Sequence, residues 1–484
     1  MNRHLFAVML LLLTSSLSQA QPEPEPKDDK VTIPLMLSPA PLPKPLSKYY
    51  LYPEYGDQQP GERVSGFMKC FMEQAFFFNG DNDLKRSKWL EMPLAELPAN
   101  VRELAGIHDG IAYSPKYAKL MVYMDQAARY TRIEWNDWFN LRNDGIYTLL
   151  PEVQKMRSLA SVLKLRMRGE IKNGEFDRAI QTTKTLFGLA QALEQHPTLI
   201  SNLVGMAIAQ MAVNGLEEMV QQPGCPNLFW SFVDLPVPLL SIRRGMEGER
   251  VFWFAPLKEL MLVTRALSEV ELDKYMKFIE EMIAFPGSGG SDTVLQKVIQ
   301  QPRIRYALFA ANEKRVATAR DRLITYAKMK PEAVKAFSAI QVVLTDDVLQ
   351  YEILRDEMSK GVNLRNGAER ERYSDDKLLR AAKSEYLLAP MLVPAVLKVV
   401  ETSARLDQRI AYLRTIEAIR LYAHNNGGKL PATLAEIPLP IPLDPVSGKA
   451  FEYGVKAGVA TLHGETPQRG NPQMNRYYEL RLRK

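Results

Sequence analysis

The chain runs to 484 residues, more than one usual hydrophobic core serves, so two or three structural units are expected. Hydrophobic residues at 46% and charged residues at 24% make a globular composition, and a mean hydropathy of -0.21 speaks against an integral membrane protein. The net charge of +6 is spread thinly with both signs alternating, which excludes the basic stripe of a nucleic-acid binder.

Met1 to His4 lead into an apolar run from Leu5 to Leu13, and Ser18-Gln19-Ala20 closes the segment with a small-x-small exit. This is the grammar of a secretory signal peptide, and the run is too short for a transmembrane span. Residues 1–20 are expected to be removed, leaving a periplasmic or secreted protein that starts near Gln21. Residues 21–45 read as a proline-rich linker, because Pro22, Pro24, Pro26, Pro39, Pro41, Pro43 and Pro45 favour extended polyproline II. Behind it, Leu42, Leu46, Tyr49, Tyr50, Leu51 and Tyr52 are placed to lie against a folded surface.

Residues 46–404 are expected to form a helical domain. Met156, Leu159, Ala160, Leu163 and Met167 fall on one helical face, Asn173-Gly174 breaks the pattern, and Phe176, Ala179, Ile180, Thr183, Phe187 and Ala190 restart it. Together they predict a helical hairpin. Its turn and second helix, through Gly174, Phe176, Ala179 and Ile180, resemble a tetratricopeptide unit, which implies one such hairpin inside a larger helical layer. Further helices are predicted at Ser201 to Val220, Leu257 to Phe285, Asp292 to Met329, Pro331 to Lys360 and Lys377 to Arg420. Within the last, Leu387 to Val400 is apolar but short and carries Pro390 and Pro394, so it reads as a kinked buried helix. Phe285 to Ser291 is the clearest interior flexible loop.

The texture changes after His424. Asn425 to Pro431 ends a helix, Asp444-Pro445 opens a turn, and Phe451 to Tyr453, Val459 to Leu462 and Tyr477 to Leu482 alternate as strands. Residues 405–484 are therefore expected to form an α+β module, an antiparallel sheet packed on a long helix that buries Ile416, Ile419, Phe451 and Tyr453. In the order Gly428, Leu430, Pro431, Leu434, Asp444-Pro445, Gly448, Phe451 and Tyr453, this stretch resembles the globular part of type II secretion pseudopilins, which implies the same small fold. Across most of its length the chain also resembles a family of uncharacterised exported bacterial proteins, through Lys48 to Glu54, Met92 to Pro98, Asn173-Gly174, Gln222 to Leu228 with Trp230, and Asp444-Pro445. No activity comes with that resemblance.

The chain carries few recognisable catalytic or metal-binding motifs. The five histidines share no helical face, and Cys70 and Cys225 are too far apart in sequence for a zinc knuckle, so no metal and no cofactor are expected. The two thiols are expected to stay separate, one of them buried, with a disulfide as the alternative in an oxidising compartment. His108-Asp109 reads as an exposed turn rather than an oriented base. Two Ser-x-x-Lys matches, Ser161 to Lys164 and Ser374 to Lys377, lack a Lys-Thr-Gly partner. The acidic pairs Glu217-Glu218, Glu280-Glu281, Asp346-Asp347 and Asp375-Asp376 read as solvated helix surface. Trp135 and Trp138, three apart beside Phe139 and Tyr147, read as core before they read as a ligand platform.

The expectation is a mainly α protein, with a multi-helical layered or solenoid-like body and a small C-terminal α+β module. It would act as an interaction or scaffold protein on an envelope protein partner. The alternatives are an envelope hydrolase with an unfamiliar site, or a type II secretion accessory protein.

Overall fold

The computed structural model describes residues 31–45, 48–74, 81–98, 118–145, 148–252, 255–283, 301–362, 364, 387–465 and 476–483. The first described element is a strand, β1 (Val31–Leu37), in which Leu35 and Leu37 are buried while Pro34 and Met36 face outward. Within the linker expected over residues 21–45, residues 31–37 are a strand instead, because the alternation Ile33, Leu35, Leu37 outweighs the prolines and Pro34 is tolerated in an edge strand; residues 21–30 lie outside the described residues. The segment behind it behaves as expected, with Leu51 fully buried and Leu42, Tyr49 and Tyr52 packed on the core.

A second short strand, β2 (Gln59–Glu62), runs into α1 (Arg63–Gln74), followed by α2 (Asp81–Glu91) and α3 (Ala118–Ala127). Then β3 (Tyr130–Arg132) pairs in parallel with β2, ahead of α4 (Trp138–Asp144). Arg63 ties this corner down: its Nη2 donates to the Tyr130 carbonyl at 2.7 Å and its Nη1 to Gln191 Oε1 at 2.5 Å.

Three long helices make the central layer. Pro151 starts α5 (Pro151–Lys172), where its missing N–H costs nothing. The turn to α6 (Phe176–Glu194) passes through Gly174 at φ +73°, a conformation that favours glycine. The predicted hairpin is present, with Ala179, Ile180, Phe187 and Ala190 buried. Thr198 caps α7 (Leu199–Met219) by accepting from the Ser201 N–H at 3.3 Å. Among the described residues α7 is the one helix long and apolar enough to cross a membrane, and 67% of its most apolar window is buried inside the fold.

After α8 (Phe229–Val233) and α9 (Arg243–Phe252), a second helical group follows with its own smaller cores. Each long helix predicted here is interrupted by a polar cap. The stretch expected as Leu257 to Phe285 divides into α10 (Ala255–Leu262) and α11 (Glu269–Ile283), because Ser268 and Glu271 form a reciprocal capping box. Asn312 separates α12 (Pro302–Ala310) from α13 (Glu313–Thr325) by accepting from the Arg315 N–H at 3.0 Å. Ser338 separates α14 (Pro331–Ala336) from α15 (Ala339–Val362), accepting from the Gln341 N–H at 3.2 Å. The loop expected at Phe285 to Ser291 lies outside the described residues.

The longest helix, α16 (Leu388–Asn425), carries Pro390 in its first turn and packs against α7 and α8. It leads to β4 (Glu452–Lys456), β5 (Val459–His463) and β6 (Arg476–Leu482). These three are antiparallel as predicted, and β1 joins β6 in parallel, giving the order β1-β6-β5-β4 and a mixed sheet. Tyr412 of α16 sits 4.7 Å from the Phe451 ring and 5.0 Å from Tyr478, and Ile416 and Ile419 are fully buried. The boundary drawn at 404/405 falls inside α16, and one buried cluster runs from Leu35 through Met156 and Leu216 to Leu480. Sheet and central helices therefore share a core.

Candidate functional site

The joint between α6 and α7 is built from polar groups. His196 is fully buried there, with Nδ1 2.9 Å from Thr198 Oγ1, Nε2 3.1 Å from Asp137 Oδ2, and its ring edge-on to Trp135 at 4.6 Å. Burial pushes His196 below its ordinary value, against the pull of Asp137. Trp135 Nε1 donates to the Ala192 carbonyl at 2.8 Å. Asn202 Nδ2 donates to the carbonyls of Leu193 and Glu194, both at 3.1 Å, so the last turn of α6 is closed from α7.

Helix α9 crosses this joint closely. A Cβ on Gly248 would run into the Pro197 carbonyl, and one on Gly245 into the Asn202 side chain. Only glycine permits that approach. Glu249 accepts from the Leu199 N–H at 3.0 Å, supplying a carboxyl at the start of α7, and burial raises that carboxyl to about 8. Glu194 accepts from the Ser241 N–H at 2.9 Å, and burial raises it too.

Between the joint and α9 lies an open cleft of about 490 Å³, within the size range of ligand pockets. Trp138, Pro197 and Val251 line it with apolar surface, and Trp138 and Val251 are 50% and 55% exposed. Arg243, Arg244 and Glu247 line the polar side. Arg243 Nε donates to Glu247 Oε1 at 2.9 Å, while Arg244 Nη1 donates to the neutral Gln195 Oε1 at 3.3 Å. Among the described residues no carboxylate lies within 4.0 Å of Arg244.

The sequence candidates are scattered by the fold. Trp135 and Trp138 do not share a core face: Trp135 precedes α4 and is buried, whereas Trp138 opens α4 and looks into the cleft. Phe139 is 78% exposed beside it. Ser161 Oγ donates to the Arg157 carbonyl at 3.3 Å, one turn back on its own helix. Ser374, His108 and Asp375-Asp376 lie outside the described residues.

Two acidic pairs are not the solvated surface expected of them. Glu217 is half-buried against Arg409 at 2.8 Å, Arg476 at 2.9 Å and the Tyr478 hydroxyl at 2.9 Å; against the cost of burial, the two arginines hold it below the usual carboxylate range. Glu218 pairs with buried Arg168 at 2.8 Å. Asp346 accepts from Arg322 at 2.9 Å, and Asp347 accepts from the Tyr306 hydroxyl at 2.6 Å and the Leu387 N–H at 3.1 Å. Burial raises Asp347 to about 6. The third pair stays at the surface as expected: Glu281 is exposed, and half-buried Glu280 accepts from Arg303 at 2.7 Å.

Cys70 and Cys225 are both buried and are not joined in a disulfide, and burial pushes the Cys225 thiol up to about 12. Among the described residues no three His, Cys, Asp or Glu side chains converge on a metal-sized site. No motif marked the cleft, because its lining comes from three separate stretches of chain. A Gly-x-x-Gly step on the otherwise charged α9, Gly245 and Gly248, was the one signal of a close helix approach.

No family model, curated protein or solved structure matches the chain.

Proposed function

We propose that the protein is an exported, mainly helical scaffold of the bacterial envelope that docks an extended segment of a protein partner in the cleft between the α6–α7 joint and α9. The observation that carries this reading is the half-exposed Trp138 beside Arg243 and Arg244 in an open cleft, the aromatic and arginine pairing that dominates protein recognition sites. Around it, Glu249 and His196 are engaged in holding helix ends, so the cleft is rigidly framed. A preformed groove lowers the ordering cost of binding.

Peptide selection on the mature protein, followed by affinity measurement on the Trp138→Ala variant, tests the proposal. Selected peptides should lose roughly tenfold or more in affinity on that variant. Equal affinity for both proteins would place recognition elsewhere. Export is tested by N-terminal sequencing of the exported protein, which should begin at or near Gln21.

One observation favours a hydrolase as the second reading. Glu194, a carboxyl raised by burial, lines the same cleft as Trp138. Turnover of a glycan, peptide or ester that disappears in Glu194→Gln with the fold intact would promote it.

A further inference from the structure

We infer that the segment docked in the cleft presents a carboxylate next to a bulky apolar side chain, an acidic–apolar peptide rather than a basic or neutral one. The inference rests on the docking role of the cleft and adds the chemistry of its ligand.

Two arginines face two carboxyls in the lining, but they are not paired one to one. Arg243 is matched by Glu247 at 2.9 Å. Arg244 is exposed, bonds only weakly to a neutral amide at 3.3 Å, and faces no carboxylate within ion-pair distance among the described residues. The one other carboxyl of the lining, Glu194, is turned to the Ser241 N–H at 2.9 Å. An incoming carboxylate therefore meets a guanidinium without displacing an existing ion pair, and Arg matches a carboxylate bidentately.

The apolar side adds the second requirement. Trp138 and Val251 offer a platform that one large aliphatic or aromatic side chain would cover, removing apolar surface from water. Cation and platform line one cleft of about 490 Å³, which restricts the acidic group and the apolar group to neighbouring positions.

The test uses the mature full chain and fluorescein-labelled nine-residue peptides in four series: an acidic residue beside Phe or Leu, Lys beside Phe or Leu, Gln beside Phe or Leu, and an acidic residue with no apolar neighbour. Fluorescence anisotropy should show the first series binding roughly tenfold tighter than the Lys series, with the difference shrinking in high salt. Arg244→Glu should reverse the preference toward Lys, and Arg244→Gln should abolish it. Because Arg244 is exposed, both variants should melt like the native protein. Equal binding of the acidic and Lys series, or an unchanged preference in Arg244→Glu, overturns the ligand chemistry while the docking cleft stands if Trp138→Ala still weakens every series. Failure of all four series, with the fold intact, overturns the docking cleft as well.

Discussion

Arg420 and Glu417, one turn apart on α16, form an ion pair at 2.8 Å with both side chains wholly shut off from water. The same guanidinium donates to the Ser38 carbonyl at 2.9 Å and the Cys225 carbonyl at 2.8 Å, so one side chain holds the segment after β1 and the turn before α8 onto the long helix.

Arg420→Ala leaves Glu417 buried and unpaired, and should cost about 3–5 kcal/mol in urea unfolding. The double replacement Glu417→Leu with Arg420→Met should recover most of that loss, since both charges go together. A single variant as stable as the native protein would show that the pair is not isolated from solvent.

Glu249→Gln should change the pH dependence of stability. The folded carboxyl titrates at about 8 against an ordinary value of 4.5, so the fold holds the proton more tightly than the unfolded chain does. Below pH 4.5 both states are protonated and the group adds no pH term. As pH rises toward 8 the folded state is progressively penalised, by up to about 1.4 kcal/mol per pH unit. The glutamine can still accept from the Leu199 N–H and carries no charge. Urea midpoints should therefore separate between pH 5 and pH 8, with the variant the more stable at pH 8; parallel curves would refute the raised carboxyl.

Gly248→Ala places a methyl group against the Pro197 carbonyl, where backbone must move to admit it. A cost of about 1–3 kcal/mol is expected. Gly56→Ala, with nothing near the added carbon, serves as the control and should stay within about 0.5 kcal/mol.

Leu37→Ala tests the strand that the prolines concealed. Leu37 is fully buried, so the variant should lose about 2–5 kcal/mol, whereas Met36→Ala on the outward face should lose about 0.5 kcal/mol or less. Equal small losses at both positions would mean that residues 31–37 do not pack as a strand.

These cases divide by how local the governing interaction is. The α5–α6 hairpin was legible because its period and its Gly174 turn lie within forty-odd residues of sequence. The strands β4, β5 and β6 were legible from alternation alone. What failed depended on distant partners. Pro34 argues against a strand until β6 makes β1 an edge, and Glu217 reads as surface until Arg409 and Arg476 arrive from the far end of the chain. The interrupted helices could have been read from Ser268 with Glu271, a capping box written plainly in the sequence. The cleft could not, because nothing in Trp138, Glu194 or Arg244 alone says that the three share one wall.

The parallel pairing of Val31 with Arg476 also sets an order of events. A ribosome delivers β1 long before β6, so the four-stranded sheet cannot close until residue 482 has been made. Until then Leu35 and Leu37 have no final partner, and long-range pairing of this kind slows the closing step. Of the four strands, the one made first thus waits longest for its partner.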